Sequence, residues 1–500
     1  PISVPIYRKR LQLVSESEDS ELSPSSEAPQ ADAPKSAYMA IYVLLAAAFM
    51  AILNETVMSV AIPVVKADLG ISAATAGWLT TSFLLTMAVV IPVTGFLISA
   101  VPFRILFAVS QGLFVVGTLI GAFAPNFAIV LLARIVQASG TAVLLPLLMT
   151  TVLNVVPEHE RGRMMGRMSV VIAVAPAIGP TISGLILEIA NNNWHALFDT
   201  MLPLGLIVLV VGVILVPNIE ENSAKSIDIL SVFLSAGAFG PLVYALSRVG
   251  AEFSLIDGIL CAVGIVLLVF FIMRQRRLAP HNRALLDLRT FRTKSFRLST
   301  IILTIGFMLM FGVIIILPLY LNLRGVDVKT IGLIVMPGPL VMGLMGPAVG
   351  RLFDSYGPRP LAIPGSIVLA LGLFGLGFIS ASTPLWWIVA CHIVLEIGLG
   401  LLFTPLFTFG LGDLPKRLYP DGSAIMNTLQ QVAGAVGTAL FVALSAVIAT
   451  GLSGTGAAAP AADDLIRGYS IAMFTAAGFA VVLIFLTTLL KPQRKKIALQ

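Results

Sequence analysis

Charge is scarce in this sequence. Only 11% of its 500 residues are Asp, Glu, Lys or Arg, whereas soluble domains devote about a quarter of their residues to these types. Hydrophobic residues make up 58%, and the mean hydropathy is +0.99. Uncharged stretches such as 69–103 and 422–462 can each hold most or all of two bilayer crossings of about 20 residues. These proportions exclude a water-soluble fold and indicate that lipid is the solvent.

Cysteine and histidine are also rare, and their placement argues against several kinds of site. Cys261 and Cys391 each lie within an apolar run, where a thiol is usually a small packing residue, so no disulfide is predicted. The histidines are scattered without cysteines or carboxylates at ligand spacing, so no metal site is predicted. They are His159, His195, His281 and His392.

The phosphate-binding pattern G-x-x-x-x-G-K-[ST] is absent, as is any loop large enough for a nucleotide-binding domain. We therefore expect no cofactor, and an ion gradient rather than ATP as the energy source. The net charge of +6 does not indicate nucleic acid, because the basic residues lie at the ends of apolar segments rather than in a patch mixed with aromatics.

Residues 1–37 combine Ser, Pro and acidic residues with little apolar content, which predicts a disordered cytoplasmic tail. The first apolar segment is full length and is not followed by a cleavage pattern, so we expect no signal peptide. Apolar runs then predict fourteen spanning helices and an all-α membrane protein. They lie near 38–60, 76–98, 104–123, 127–152, 166–188, 196–216, 228–248, 254–273, 297–319, 331–350, 361–380, 385–409, 424–449 and 470–490.

Lys and Arg are distributed unevenly between the loops. With a cytoplasmic N-terminus, the loops and C-terminal tail on the cytoplasmic side contain 21 of them and the opposite loops contain five. Because cytoplasmic loops are enriched in Lys and Arg, this asymmetry predicts that both termini are cytoplasmic. The expected location is the plasma membrane, as a multi-pass protein of a bacterial inner membrane.

A repeat with an offset of 255 to 258 residues relates the two ends of the chain. Gly95 and Arg104 recur as Gly350 and Arg359, and the Ala-Ile-Gly ending at Gly179 recurs as Ala-Val-Gly. Transporter folds are commonly built from repeated bundles, so we predict a plan of six, two and six helices. The predicted segments are the tail (1–37), a first six-helix bundle (38–216), two inserted helices with a basic linker (217–296), a second six-helix bundle (297–490) and a basic cytoplasmic tail (491–500).

Four segments resemble the major facilitator superfamily. They are LNETVMSVAIP (53–63), RIVQASGTA (134–142), APAIGPTISG (175–184) and NTLQQVAGAVGTA (427–439). Within that family the chain is most similar to the fourteen-helix drug:proton antiporters of the QacA/EmrB type, and among them to LmrB-type lincomycin-resistance proteins. The resemblance implies a proton-coupled exporter, because the third segment is associated in this family with antiporters rather than symporters.

The chain departs from the family pattern in two places. The loop after predicted helix 2 normally reads G-x-L-x-D-x-x-G-R, but GFLISAVPFR (95–104) lacks the acid, while GRLFDSYGPR (350–359) keeps it as Asp354. The charge latch implied by this motif is thus expected to be weak in the first half and intact in the second. In predicted helix 1, relatives have an aspartate where this chain has Asn54, and its acid is the following residue, Glu55.

Few ionisable residues lie at membrane depth, where each costs about 2.5 to 3.5 kcal/mol on insertion scales and therefore predicts function. Glu55 is predicted to exchange protons, unless helix 1 ends early and leaves it as a solvated cap. Arg134 is predicted to be a buried cation that lowers the proton affinity of a neighbouring carboxylate. Its alternative is snorkelling to the interface from a helix that starts later.

His392 and Glu396 project from one face of predicted helix 12 and form a candidate second titratable pair; an equally open alternative is a structural hydrogen-bonded pair. Asp199 is a weaker proton-coupling candidate because it can lie at the outer mouth. Neutral polar residues predict substrate contacts or, as readily, interhelical hydrogen bonds. They are Asn54, Gln137, Asn427, Gln430 and Gln431.

Small residues and prolines predict close helix approach. Gly179 with Pro180 indicates a kinked, tightly packed helix 5, and Gly350 belongs to a small-residue face of helix 10, although both patterns also suit generic packing. The expected function is efflux of small hydrophobic or cationic compounds, as in multidrug and antibiotic resistance, by a monomer using protons. Alternatives are export of a defined metabolite or lipid, a polytopic membrane enzyme, which the short loops disfavour, and a membrane sensor without transport.

Overall fold

The computed structural model describes residues 35–216, 228–249, 254–453 and 461–491, and every regular element in these ranges is helical. Fourteen helices are long and apolar enough to cross a membrane, which confirms the predicted all-α fold and helix count. They are α1 (Lys35–Leu69), α2 (Ala73–Ala100), α3 (Phe103–Ala122), α4 (Phe127–Val155), α5 (Arg161–Ile189), α6 (His195–Leu215), α7 (Ile229–Ser247), α8 (Leu255–Leu278), α9 (Lys294–Leu323), α10 (Val328–Val335 and Pro337–Tyr356), α11 (Arg359–Gly377), α12 (Leu385–Gly412), α13 (Tyr419–Ser453) and α14 (Ala462–Thr488).

Several helices run beyond their predicted limits, since apolar runs mark only the part of a helix that lies in hydrocarbon. Backbone hydrogen bonding continues through polar turns at both ends, so α1 reaches Leu69 and α13 begins at Tyr419. Lys35 and its two successors are helical, which corrects the predicted end of the N-terminal tail. The rest of that tail, the segment 217–227 and the last nine residues lie outside the described residues.

Helix α10 is interrupted at Met336, between its two segments. Pro337 begins the second segment, and proline is favoured at a first helical position because its missing N–H has no helical partner there. Gly338, the residue after Pro337, lies against α12 at this interruption.

Helices α1–α6 and α9–α14 pack in the same pattern. In the first group α1 packs against α5, and α4 packs against α2 and α3; in the second, α9 packs against α13, and α12 packs against α10 and α11. Between the groups, α5 packs on α10 and α2 packs on α13. The contacts between the groups therefore obey the same repeat as the contacts within them.

One end of the helix bundle carries most of the arginines. Neighbouring helices alternate in direction, so the loops that follow even-numbered helices share an end, which contains Arg104, Arg161, Arg289 and Arg359. We call it the basic end, and the other the opposite end. Arg161 is buried there, and its Nη2 donates to Leu153 O at 2.8 Å, which satisfies a terminal carbonyl of α4.

Helices α5 and α10 meet near the basic end with their backbones in contact. The contact consists of Gly162 and Gly166 on α5 and Gly346 and Gly350 on α10, which we call the glycine seam. A Cβ on any of these residues would overlap backbone atoms of the other helix. Small residues permit this approach, which strengthens dispersion between helices in lipid.

The inserted helices lie outside the two groups. Helix α7 packs against α2 and α13, whereas α8 packs chiefly against α7. Half of the residues of α8 are exposed, including Leu255 at 82% and Ile256 at 67%, as expected for a helix that faces lipid.

Replacing Gly166 by Ala should destabilise the protein by about 1 to 3 kcal/mol, since an inserted Cβ overpacks a rigid backbone contact. Gly184 provides a matched control in the same helix, because a Cβ there meets nothing within 4 Å. Thermal unfolding in detergent measures the difference. Equal melting temperatures for Gly166→Ala and Gly184→Ala would contradict close packing at the seam.

Candidate functional site

Arg134 lies buried in α4, with 1% of its surface exposed. Its Nη1 donates a hydrogen bond to Gln137 Oε1 at 3.1 Å, and its Nε donates to the backbone oxygen of Leu79 in α2 at 3.4 Å. The guanidinium carbon lies 4.2 Å from the centre of the Phe83 ring, a cation–π arrangement. Arg134 does not snorkel; the protein itself solvates the charge.

Gln137 connects Arg134 to a third helix. Its Nε2 donates to Thr118 Oγ1 of α3 at 2.9 Å, while its Oε1 accepts from Arg134. The Thr118 hydroxyl in turn donates to Phe114 O at 2.7 Å. Both polar atoms of Gln137 are thus engaged within the protein, which makes it a positioning residue for Arg134 rather than a free substrate contact.

Glu55 lies on α1 beside this buried charge. Helix α1 continues fourteen residues beyond it to Leu69, which excludes the alternative of an early helix end with Glu55 as its cap. The side chain is partly exposed and interacts electrostatically with Arg134. A carboxylate therefore lies at membrane depth within electrostatic range of a buried guanidinium, nearer the opposite end than the basic end.

The residues flanking Glu55 hold α1 against its neighbours. Asn54 is 4% exposed. The Thr56 hydroxyl donates to Leu53 O at 2.9 Å and lies against Gly179 of α5, where an added Cβ would overlap it. Ser183, one turn further along α5, donates to Val57 O at 2.9 Å. The predicted tight packing of α5 is thus observed next to Glu55, with Pro180 on the exposed side of the helix.

His392 and Glu396 form a second buried polar pair, on α12. They are 1% and 2% exposed, and His392 Nε2 lies 3.6 Å from Glu396 Oε1. Gly338 of α10 lies so close that a Cβ there would be 2.6 Å from the imidazole and 2.9 Å from Glu396 Cγ. The other polar atoms, His392 Nδ1 and Glu396 Oε2, have no hydrogen-bond partner among the described residues.

The two buried centres occupy equivalent places in the repeat. Arg134 lies seven residues after Phe127, the first residue of α4, and His392 lies seven residues after Leu385, the first residue of α12. The second half therefore has a titratable imidazole where the first half has a permanent cation.

The remaining predicted site residues are distributed elsewhere. Asp199 is exposed, four residues after the start of α6, which places it on the surface rather than with the buried pairs. Asn427 Nδ2 donates to Ser423 O at 2.8 Å and to Met149 Sδ of α4 at 3.4 Å, so Asn427 joins the two groups of helices. Gln430 and Gln431 are partly exposed.

The conformational motif is intact in the second half of the chain. Asp354 Oδ1 accepts from Gly162 N at 2.7 Å, and Oδ2 accepts from Arg163 N at 2.8 Å. These N–H groups open α5 and lack helical partners, so the carboxylate caps that helix across the glycine seam. In the first half, Gly95 lies against α13, while Arg104 is exposed. Arg359 is partly exposed at the start of α11.

The roles of two site residues could hardly be predicted from the sequence. Phe83 is one apolar residue among many in α2, and nothing in its position predicts the Arg134 contact. Gly338 stands between two prolines, and that pattern predicts a helix irregularity without indicating which side chains it admits.

Comparison with known proteins identifies relatives of the whole chain. The family model described as Major Facilitator Superfamily matches residues 44–231 and 224–438. The MFS-type transporter YcnB of Bacillus subtilis is 40% identical over 90% of this chain and 95% of its own length. The lincomycin resistance protein LmrB of Listeria innocua is 42% identical over 80% of this chain and 84% of its own length.

Solved structures agree in fold. The human organic anion transporter MFSD10 superposes with a TM-score of 0.63 at 12% identity, covering 90% of this chain and 99% of that one. The proton:xylose symporter XylE superposes with a TM-score of 0.61 at 14% identity, covering 92% and 96%.

Replacing Gln137 by Leu should lower stability by about 1 to 3 kcal/mol, because a buried Arg134 donor loses its acceptor. The same change at Gln430, which is partly exposed, is the matched control and should have little effect. Thermal unfolding in detergent compares the two. A Gln137→Leu variant as stable as Gln430→Leu would show that Gln137 does not support Arg134.

Proposed function

Because this chain belongs to the major facilitator superfamily, we propose that it is a proton-coupled antiporter that exports small hydrophobic or cationic compounds by alternating access. The observation that carries the proposal is a carboxylate, Glu55, at membrane depth within electrostatic range of the fully enclosed Arg134. The chain is a transporter and not an enzyme, and it is a multi-pass protein of the bacterial cell membrane. The coupling to protons, the antiport mechanism and the class of substrate are proposed.

The electrostatics of the first half suit proton exchange at Glu55. A carboxylate partly removed from water favours its neutral form, whereas a nearby fixed cation favours the charged form. Arg134 cannot provide or take up the proton itself, because a guanidinium keeps its charge in proteins. Its hydrogen bonds to Gln137 and Leu79 hold it still while Glu55 changes charge.

Substrate and proton compete for Glu55 in this scheme. A cationic or polarisable compound binds while the carboxylate is charged, and protonation from outside removes that attraction and releases it. Deprotonation towards the cytoplasm then restores the binding form. Partly exposed Gln430 and Gln431 are proposed as further substrate contacts on α13, with Asn54 beside the carboxylate.

We further propose that His392 and Glu396 take up a second proton. Their enclosure by Gly338 and their two unpartnered polar atoms support this role. Asp199 is not assigned a role in the cycle, because its side chain is exposed and water can solvate its charge.

The cycle needs two bodies that rock about the site, and we assign these to helices α1–α6 and α9–α14 of a single chain acting as a monomer. The repeated packing pattern supports this division. Lys and Arg enrichment supports a cytoplasmic basic end, with both termini on that side. The glycine seam then closes the cytoplasmic end.

Glu55→Gln should abolish transport driven by a pH gradient in proteoliposomes, with a loss of at least about tenfold, because the amide cannot ionise. The measurement is uptake of a lincosamide or a lipophilic cation into inside-out vesicles on acidification of the lumen. Glu188→Gln is the matched control, since Glu188 is exposed on α5. Full retained transport in a folded Glu55→Gln variant would remove Glu55 from the coupling role.

Export of one defined metabolite is the second candidate function. It is favoured by a relative named riboflavin transporter RibZ of Clostridioides difficile, 25% identical over 81% of this chain. Efflux of a compound panel from cells overexpressing the chain, with and without a protonophore, separates the two. A multidrug exporter should move several unrelated lipophilic cations, each stopped by the protonophore, whereas a metabolite exporter should move one chemical class.

A further inference from the structure

The two copies of the conformational motif differ at equivalent residues. Ser99 on α2 is equivalent to Asp354 on α10 by the offset of 255 residues. Pro420 and Asp421 on α13 are equivalent to Gly162 and Arg163 on α5 by the offset of 258. In the second half an acid thus faces two backbone N–H groups, whereas the equivalent positions of the first half are occupied by a serine, a proline and an acid.

This exchange removes the latch from the first half. Pro420 has no N–H to donate, and by the repeat an acid at position 99 would be placed opposite the carboxylate of Asp421 in the first turn of α13. The Ser99 hydroxyl donates to Gly95 O of its own helix at 2.9 Å. The hydrogen bond from Gly162 N to Asp354 therefore has no counterpart at Pro420.

The segment between α8 and α9, residues 279–293, supplies contacts at this place; we call it the linker. A Cβ built on Gly95 would lie 3.3 Å from Leu286 Cδ2 of the linker and 3.3 Å from the Asp421 backbone. Asp421, which is 1% exposed, accepts a hydrogen bond from Asp287 N at 3.0 Å through its Oδ1. Leu286 of the linker thus contacts α2, and the next residue, Asp287, is hydrogen-bonded to α13.

The linker is held in shape by its own polar contacts. Arg289 donates from Nε to Asp287 at 2.9 Å and from Nη2 to Asn282 Oδ1 at 3.1 Å. Its charge also interacts favourably with Asp421. The Asp421 carboxylate is therefore balanced by the linker's guanidinium as well as by its backbone.

The inserted helices fix the linker in position. Gln275 of α8 accepts from Leu285 N at 2.7 Å and from Leu286 N at 3.3 Å, and its Nε2 donates to Ser231 Oγ of α7 at 2.8 Å. Close by, Arg274 of α8 donates twice to Asp228 before α7, each at 2.7 Å. The Arg274 hydrogen bond lowers the pKa of Asp228 below its usual range, so this pair stays ionised at physiological pH.

We propose that the linker is an intramolecular latch, carried by α7 and α8, that takes over in the first half the role of Asp354 in the second. It holds α2 and α13 together while the basic end is closed. Opening that end separates these helices and must break the Leu286 contact or the Asp287–Asp421 bond. The proposal uses the alternating access of the proposed function, and it gives the two additional helices a purpose.

Distances between spin labels at the basic end test the latch. Labels are placed on Ile105→Cys at the start of α3 and on Pro360→Cys, its equivalent at the start of α11, both exposed. The background carries Cys261→Ala and Cys391→Ala. Double electron–electron resonance in nanodiscs then gives the ratio of long to short distances, the open and closed states of this end.

Two variants weaken the latch in different ways. Leu286→Ala removes apolar contact with α2, and Asp421→Asn keeps the size of the side chain but removes its charge. We expect the open-to-closed ratio to rise about tenfold for Leu286→Ala and at least about threefold for Asp421→Asn. Leu255→Ala, at an 82% exposed leucine of α8, is the control and should leave the ratio unchanged.

The proposal is overturned if Asp421→Asn and Leu286→Ala both keep the ratio of the Leu255→Ala control. Should Leu286→Ala fail to fold, Asp421→Asn decides alone, since it keeps the packing volume. The measurement needs neither substrate nor proton gradient. A failure of Glu55→Gln to affect transport would therefore leave this test intact.

A third variant tests the asymmetry directly. Ser99→Asp should raise the open-to-closed ratio about tenfold by like-charge repulsion, and it should do so less when combined with Asp421→Asn. An acid at position 99 that instead closes the basic end, as Asp354 does, would contradict the argument.

Discussion

The hydrocarbon core of a bilayer offers no hydrogen bonds, so every polar group placed there must find its partner within the protein. The contacts of Arg134 illustrate this constraint. Its guanidinium is satisfied by a glutamine, a backbone carbonyl and an aromatic face, contributed by α4 and α2. Gln137 is then satisfied by Thr118, and that hydroxyl by the carbonyl of Phe114. The hydrogen bonds that satisfy this buried charge thereby connect three helices of the first half.

The same constraint makes close backbone approach a favoured means of joining helices, because no hydrophobic driving force acts between them in lipid. The glycine seam applies it at the interface between the two groups of helices. Asp354 reinforces that seam with bonds to Gly162 N and Arg163 N, at an end of the bundle where water can replace them. The interface therefore combines close backbone packing with polar bonds at one end.

The two halves share a packing pattern but have diverged in charge. Arg134 corresponds to His392, so one centre keeps a permanent cation and the other a group that can lose its charge. Ser99 corresponds to Asp354, and around Ser99 the linker contributes contacts that the motif no longer provides. Differences at equivalent positions thus give the two halves different charged groups without altering the shared fold.

Hydropathy alone predicted the number and positions of the fourteen helices, although not all of their ends, because the length of an apolar run is set by bilayer thickness and does not depend on neighbours. It also placed Arg134 and Glu55 at membrane depth, and the shared motifs indicated the family. The side-chain partners were beyond its reach. These helices are apolar on nearly all sides, so periodicity does not distinguish the face that meets lipid from the face that meets protein. Phe83, Gly338 and Leu286 therefore acquired their roles only when helices distant in sequence came together, since each role is a contact and a contact belongs to two segments at once.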